Sequence, residues 1–141
     1  MQECPTTFRL AKLNDSPLLA QMNYQLIRAE GHRNPMSIEE LTARMSNWLA
    51  HDYSAAFITM GDKAIGYCLW RHEDEFIYIR QFFIELEYQG HGFGKSAFKQ
   101  LRQQFWSDHK LRLEVLIHNH QGREFWHSVG FSEYCITMEF N

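Results

Sequence analysis

Apolar residues recur along this chain at two alternating periods, and the switches between them mark its elements. Near the start, Thr7-Phe8-Arg9-Leu10-Ala11 alternates as a short strand. Asn14-Asp15-Ser16-Pro17 predicts a helix start, with proline tolerated in the first turn and Leu18, Met22 and Leu26 on one stripe. The stretch from Gly31 to Pro35 breaks that helix. Ser37-Ile38-Glu39-Glu40 predicts the next N-terminus, with Glu40 placed for a capping box and Leu41, Met45, Trp48 and Leu49 forming the apolar stripe. Strands over 54–60 and 64–70 follow, joined by the hairpin turn Gly61-Asp62-Lys63. A long strand over 76–84, a helix over 93–106, a strand over 111–117, a helix over 121–128 and a strand over 131–140 complete the pattern. The order β-α-α-β-β-β-α-β-α-β predicts a single mixed α/β domain over residues 1–141, without repeats or linkers.

Composition narrows the function classes. With 45% hydrophobic residues in 141, the chain can bury one core of ordinary size. The net charge of −3 is spread along the chain, and no Lys/Arg cluster marks a nucleic-acid face. Met1-Gln2-Glu3-Cys4-Pro5 lacks the basic and apolar regions of a secretory signal, and no apolar run reaches membrane-spanning length. Cys4, Cys68 and Cys135 are odd in number and widely spaced, which fits free thiols in a reducing cytoplasm. The histidines, including His91, His118, His120 and His127, have neither helical i, i+4 spacing with a carboxylate nor cysteines placed to help, so no metal site is expected.

The candidate chemistry lies in Gln89-Gly90-His91-Gly92-Phe93-Gly94, between the 76–84 strand and the 93–106 helix. A strand that stops in a glycine-rich turn and restarts as a helix leaves backbone N–H groups unpaired at the positive end of the helix dipole. Glycines at alternate positions let phosphate oxygens approach that backbone, so a phosphate-bearing ligand is expected. Two familiar phosphate motifs miss by one residue. The dinucleotide pattern G-x-G-x-x-G needs glycine where Lys95 stands, and the P-loop ending in Gly94-Lys95-Ser96 needs glycine where Gln89 stands.

Gln89, Gly92 and Gly94 do fit Q/R-x-x-G-x-G/A, and here the chain resembles the GNAT superfamily of N-acetyltransferases, which bind the coenzyme A pyrophosphate at that motif. Ile84-Glu85-Leu86-Glu87-Tyr88 resembles the strand-to-turn segment, with Leu86 where the family often has proline. Downstream, Arg112-Leu113-Glu114-Val115-Leu116-Ile117 leads to Asn119, Gly122, Phe125, Trp126 and Gly130-Phe131, similar to the family's N-x-x-A-x-x-[FL]-Y-x-x-x-G-F. The resemblance covers roughly residues 54–140. It implies a central mixed, mostly antiparallel sheet flanked by helices, with acetyl-CoA as cosubstrate and no metal.

Carried over residue by residue, the resemblance implies that backbone groups of Phe83 and Ile84 hold the pantetheine arm and thioester carbonyl, with the Ile84 N–H as oxyanion donor. The amides of Gly90, His91, Gly92, Phe93, Gly94 and Lys95 would hold the pyrophosphate, and Asn119 would contact the cofactor from the other wall. Trp126 aligns with the family's tyrosine acid, but an indole N–H donates without ionising usefully; it either contacts the cofactor or packs the helix with Phe125. Tyr134 or a water is then a substitute donor. Tyr78 falls where some members place a catalytic glutamate, and Arg80 and Phe82 are expected on its face. Glu85 is the carboxylate nearest the proposed thioester site, either a base or a solvated strand-end group. In the family, acceptor selection comes from the first two helices; Tyr24, Arg28, His32 and Arg33 lie there, with Trp70, Arg71 and His72 at a strand end. Arg28 or Arg80 is placed to grip a substrate carboxylate.

The implied activity is acetyl transfer from acetyl-CoA to a primary amine of a small molecule or protein. The alternative is a non-catalytic acyl-CoA sensor of the same fold, favoured by Trp126 in the tyrosine position. No nucleic-acid or membrane partner is expected; a homodimer through Tyr134–Phe140 edge pairing is a further expectation.

Overall fold

The computed structural model describes residues 6–31 and 33–141. In chain order these form β1 (Thr6–Leu10), α1 (Ser16–Glu30), α2 (Ile38–Ala50), β2 (Tyr53–Met60), β3 (Lys63–His72), β4 (Ile77–Ile84), α3 (Phe93–Phe105), β5 (Leu111–Arg112) and α4 (His120–Ser128). The strands make one five-stranded sheet in sequence order; β1 to β4 pair antiparallel, and β4 pairs parallel with β5.

Local chemistry explains most boundaries. Asp15 precedes α1 and accepts the Lys12 N–H at 2.8 Å, while Pro17 stands in the first turn. Leu19, Met22 and Leu26 are the buried stripe of α1, and Leu18 of the expected stripe instead faces solvent. The capping box of α2 is formed: Glu40 N–H donates to Ser37 Oγ at 3.1 Å and Ser37 N–H to Glu40 Oε1 at 2.9 Å. Gly61, with φ of +61°, turns β2 into β3.

The sheet separates two cores. On one face α1 and α2 cover Tyr53, Ala55, Phe57, Tyr67, Leu69 and Phe83. On the other, Phe98 and Leu101 of α3 with Trp106 pack against Cys68, Trp70, Ile77 and Ile79. Leu69 pairs with Gln81 whereas Trp70 pairs with Ile79, so Arg80 is an extra residue bulging from β4. The bulge resets the alternation. Phe82, expected beside Tyr78 and Arg80, crosses to the α3–α4 side, where its ring lies 5.7 Å from that of Phe125.

Two expected strands change. The strand over 111–117 is reduced to Leu111–Arg112, because beyond Tyr78↔Arg112 the two segments no longer pair. The strand over 131–140 is absent, since β5 offers it too short an edge for a ladder. Alternate residues Tyr134, Ile136, Met138 and Phe140 are left exposed there. Among the described residues no helix is long and apolar enough to cross a membrane.

Candidate active site

β4 ends at Ile84, and a short 3-10 turn (Leu86–Tyr88) carries the chain through Gln89–Gly92 into α3. Gly90 and Gly92 have φ of +80° and +81°, where a side chain is strained. A Cβ on either would meet nothing within 4 Å, so the space around the turn is open. Gly94 has a different reason to be glycine. A Cβ there would stand 3.1 Å from Phe125 Cε1, so its bareness lets α3 settle against α4 rather than clearing room for a ligand. The first bond of α3 runs from Ser96 N–H to Gly92 O at 3.1 Å, which leaves the amides of Phe93, Gly94 and Lys95 without intrahelical acceptors. No acidic residue occupies that first turn, and His91 and Lys95 are exposed beside it. Bare amides, an open approach and the helix dipole together suit a pyrophosphate.

Gln89 has a structural function at this turn: its Nε2 donates to the Ile84 carbonyl at 2.7 Å. The clamp fixes the glycine turn relative to the end of β4.

The backbone of β4 decides which groups face the slot. Glu85 N–H donates to Ile65 O at 2.8 Å, and Gly66 pairs with Ile84, so Ile84 turns its own N–H and carbonyl away from β3. That side is the edge from which β5 has departed. By the same alternation Phe82 shares it, while Phe83 faces β3: a Cβ on Gly66 would lie against the Phe83 carbonyl. The expectation that Phe83 lines the slot is therefore corrected by one residue. Phe82 and Ile84 present the open-edge amides, and Phe83 instead buries its side chain under α1.

The α1–α2 face of β4 carries the polar chemistry. Tyr78 Oη donates to Glu114 Oε1 at 2.9 Å, across the gap where β4 and β5 part. Burial, then that hydrogen bond, pushes the Tyr78 phenol up to about 12. Tyr78 is thus a protonated donor at neutral pH, unsuited to act as a base. Glu30, at the end of α1, is half-buried, and desolvation raises its carboxyl above the ordinary range. Tyr67, fully buried, donates to Gln81 Oε1 at 2.7 Å, and burial raises its phenol well above the usual value. Arg80 donates to Tyr53 Oη at 3.2 Å.

Other expected site residues lie elsewhere. Glu85 lines an open hollow with Gln25 and Lys63. Arg28 donates along its own helix to Tyr24 Oη at 3.2 Å, and His32 lies outside the described residues, as does Cys4. Asn119 caps α4, its Oδ1 accepting the Gly122 N–H at 3.0 Å, and its side-chain amide lies against Gly122, where a Cβ would stand 2.5 Å from Nδ2. Trp126 packs edge-on against Phe82, Phe98, Phe125 and Phe131 at centroid distances of 4.9–5.7 Å. It is half-buried and packs against the α3-side core. Tyr134, the substitute donor, is exposed, with the Arg112 guanidinium 4.4 Å from its ring centre. Cys68 is buried and Cys135 exposed, both as free thiols. Among the described residues no group of three or more histidine, cysteine or acidic residues is placed to hold a metal.

Sequence reasoning missed the Phe82 amide, Glu30, Glu114 and Gly66. Of these only Gly66 carried a signal, since glycine inside a strand marks close backbone approach.

The sequence matches the Acetyltransferase (GNAT) family over residues 21–131. No curated protein matches it closely enough to count as a relative. The structure is similar to an acetyltransferase from Thermus thermophilus (19% identity, TM-score 0.76, covering 94% of this chain and 90% of that one). It is equally similar to a predicted acetyltransferase from Clostridium acetobutylicum solved with acetyl-CoA (20%, TM-score 0.76, covering 96% of each). An aminoglycoside acetyltransferase from an uncultured soil metagenomic sample, in complex with sisomicin, is also close (14%, TM-score 0.75, covering 97% and 96%). At such identities the likeness is one of fold.

Proposed function

Because this chain belongs to the GNAT acetyltransferase family, we propose that it transfers an acetyl group from acetyl-CoA to a primary amine of a small molecule or protein. The observation that carries the reading is the junction of β4 and α3. There an open-edge Ile84 N–H lies next to a clamped turn with bare amides and no side chain blocking Gly90 or Gly92.

The amides of Gly90 through Lys95 would bind the pyrophosphate, with Asn119 on the opposite wall. The open-edge groups of Phe82 and the Ile84 N–H would align the pantetheine arm like a missing strand, in the gap left by β5, while the Ile84 carbonyl stays with Gln89. When bound, acetyl-CoA supplies an activated acyl carbon. The Ile84 N–H stabilises the negative charge that develops on the carbonyl oxygen as the amine attacks. The new C–N bond forms, the C–S bond breaks, and the amine proton must leave. Glu30, half-buried at the end of α1 with its carboxyl raised by desolvation, is the candidate to receive it. No ionising side chain is needed for the leaving group, since thiols titrate near pKa of about 8.5 and a water can protonate the thiolate.

Trp126, packed by aromatic rings against the core where the family motif has tyrosine, supports a second reading: an acyl-CoA sensor without turnover. A homodimer that covers Tyr134, Ile136, Met138 and Phe140 belongs to the same proposal, and sedimentation as a monomer at high concentration would end it. The cofactor claim is tested by thermal stabilisation with acetyl-CoA, CoA, NAD and ATP. A shift with both CoA species that is lost in Gly92→Glu supports the cradle; no shift with either overturns it.

A further inference from the structure

Two guanidinium groups share one indole on the α1–α2 face. Arg44 of α2 and Arg80 of β4 place Cζ 4.4 Å and 4.7 Å from the ring centre of Trp48. Trp48 follows Arg44 by four residues, one helical turn, and Arg80 reaches the ring because it is the bulged residue. A third guanidinium stands close: Arg71 donates to Tyr53 Oη at 2.9 Å, and Arg80 donates to the same oxygen at 3.2 Å.

The charges do not cancel. Arg71 has Glu73, with Nε 2.6 Å from Oε2, although the pair is not aligned as a hydrogen bond. Neither Arg44 nor Arg80 forms an ion pair among the described residues. Arg44 is half-buried; its Nη2 donates to the buried Asn23 Oδ1 at 3.0 Å, and its Nε is buried without an acceptor. Desolvation and the nearby Arg80 charge both lower its pKa. Stacking on Trp48 offsets part of the repulsion, but a paired guanidinium site without a carboxylate favours an incoming anion.

Position links this pair to the chemistry. Arg80 lies two residues past Tyr78, where β4 parts from β5, and Tyr78 bonds Glu114 at that gap. Trp48 and Tyr53, which Arg80 touches, line with Arg71 a hollow of about 320 Å³; Asp52 is the one acidic residue on its wall, and neither Arg44 nor Arg80 is part of that wall.

The geometry points to Arg44 and Arg80 as the anchor for an oxyanionic group on the acceptor, which makes the acceptor a small amine bearing a carboxylate or phosphate. This rests on the transferase reading above. The anchor holds the anion on the α1–α2 face and leaves the amine free to enter the slot at Ile84. Polycationic amines such as aminoglycosides are repelled by the same charges.

Matched pairs of acceptors test the anchor: α-amino acids against their carboxamides, and phosphoethanolamine against ethanolamine. The anionic member should have a kcat/KM higher by about tenfold or more, chiefly through KM, and Arg80→Gln or Arg44→Lys should shrink that ratio toward one. Whichever pair shows the larger ratio identifies the anion. Equal use of both members, or variants that slow both equally, overturns the anchor. A second readout does not need turnover: the arginine Nε–H NMR signals of Arg44 and Arg80, titrated with succinate and with inorganic phosphate. Saturable shifts at both residues without turnover of any amine would keep the anion site and remove the transferase reading. No shift with either anion would remove the site.

Discussion

The Gln89 side-chain amide reaches back five residues to the Ile84 carbonyl, 2.7 Å away, and so ties the proposed phosphate cradle to the proposed oxyanion donor. Both sites depend on the position of one strand end. Gln89→Ala frees that end and leaves the carbonyl without its partner. The expected outcome is acetyl-CoA affinity weakened by about tenfold, the equivalent of one net hydrogen bond of about 1.4 kcal/mol, read by calorimetry. Unchanged affinity would show that the clamp does not set the cradle.

The glycines separate by experiment. Gly66→Ala places a Cβ against the Phe83 carbonyl, a backbone group that cannot swing aside, and should cost several kcal/mol or prevent soluble folding. Gly92→Ala imposes φ of +81° on a side chain, a strain of about 1 kcal/mol seen as a small loss of melting temperature. Equal melting temperatures for the two variants would contradict the close approach of β3 and β4.

Tyr78 and Glu85 are expected to be dispensable as bases. The Tyr78 phenol, pushed up to about 12, stays protonated through the neutral range, so Tyr78→Phe should leave the acid limb of the kcat/KM profile in place. Glu85→Gln should lower kcat by less than about tenfold. A loss of about a hundredfold in either variant would identify that residue as the proton acceptor.

Glu30 gives a pH-dependent signature. Burial raises its carboxyl above the ordinary 4.5, so the folded state holds the proton more tightly than the unfolded chain. Its contribution to stability is present below 4.5 and is lost as pH rises through the raised value. Glu30→Gln, which cannot ionise, should therefore melt higher than the parent at neutral pH and gain little in acid. The same variant should slow acetyl transfer. A stability difference that does not vary with pH would contradict the burial argument.

Much of this was legible in the chain. The Ser37/Glu40 capping box, the Gly61 turn and the glycine turn before α3 are local devices, and local sequence reports them directly. The off-by-one assignment of Phe83 has a definite cause, the Arg80 bulge and the pairing phase of β4 against β3, which depend on partners remote in sequence. Glu30, Glu114 and Arg44 gave no signal for the same reason, since each acquires its surroundings only when α1, α2 and the sheet come together. The final strand failed in the opposite way: Tyr134, Ile136, Met138 and Phe140 alternate as a strand should, yet β5 supplies no ladder for them.

Amine-dependent release of coenzyme A thiol, with the acetylated product weighed by mass spectrometry, tests the central claim most directly. Thiol and acetylated amine should appear in equal amounts with the parent protein and fall sharply with Gly92→Glu. Saturable binding of acetyl-CoA with no acetylated amine across anionic, neutral and cationic acceptors would contradict the transferase account and leave a sensor in its place.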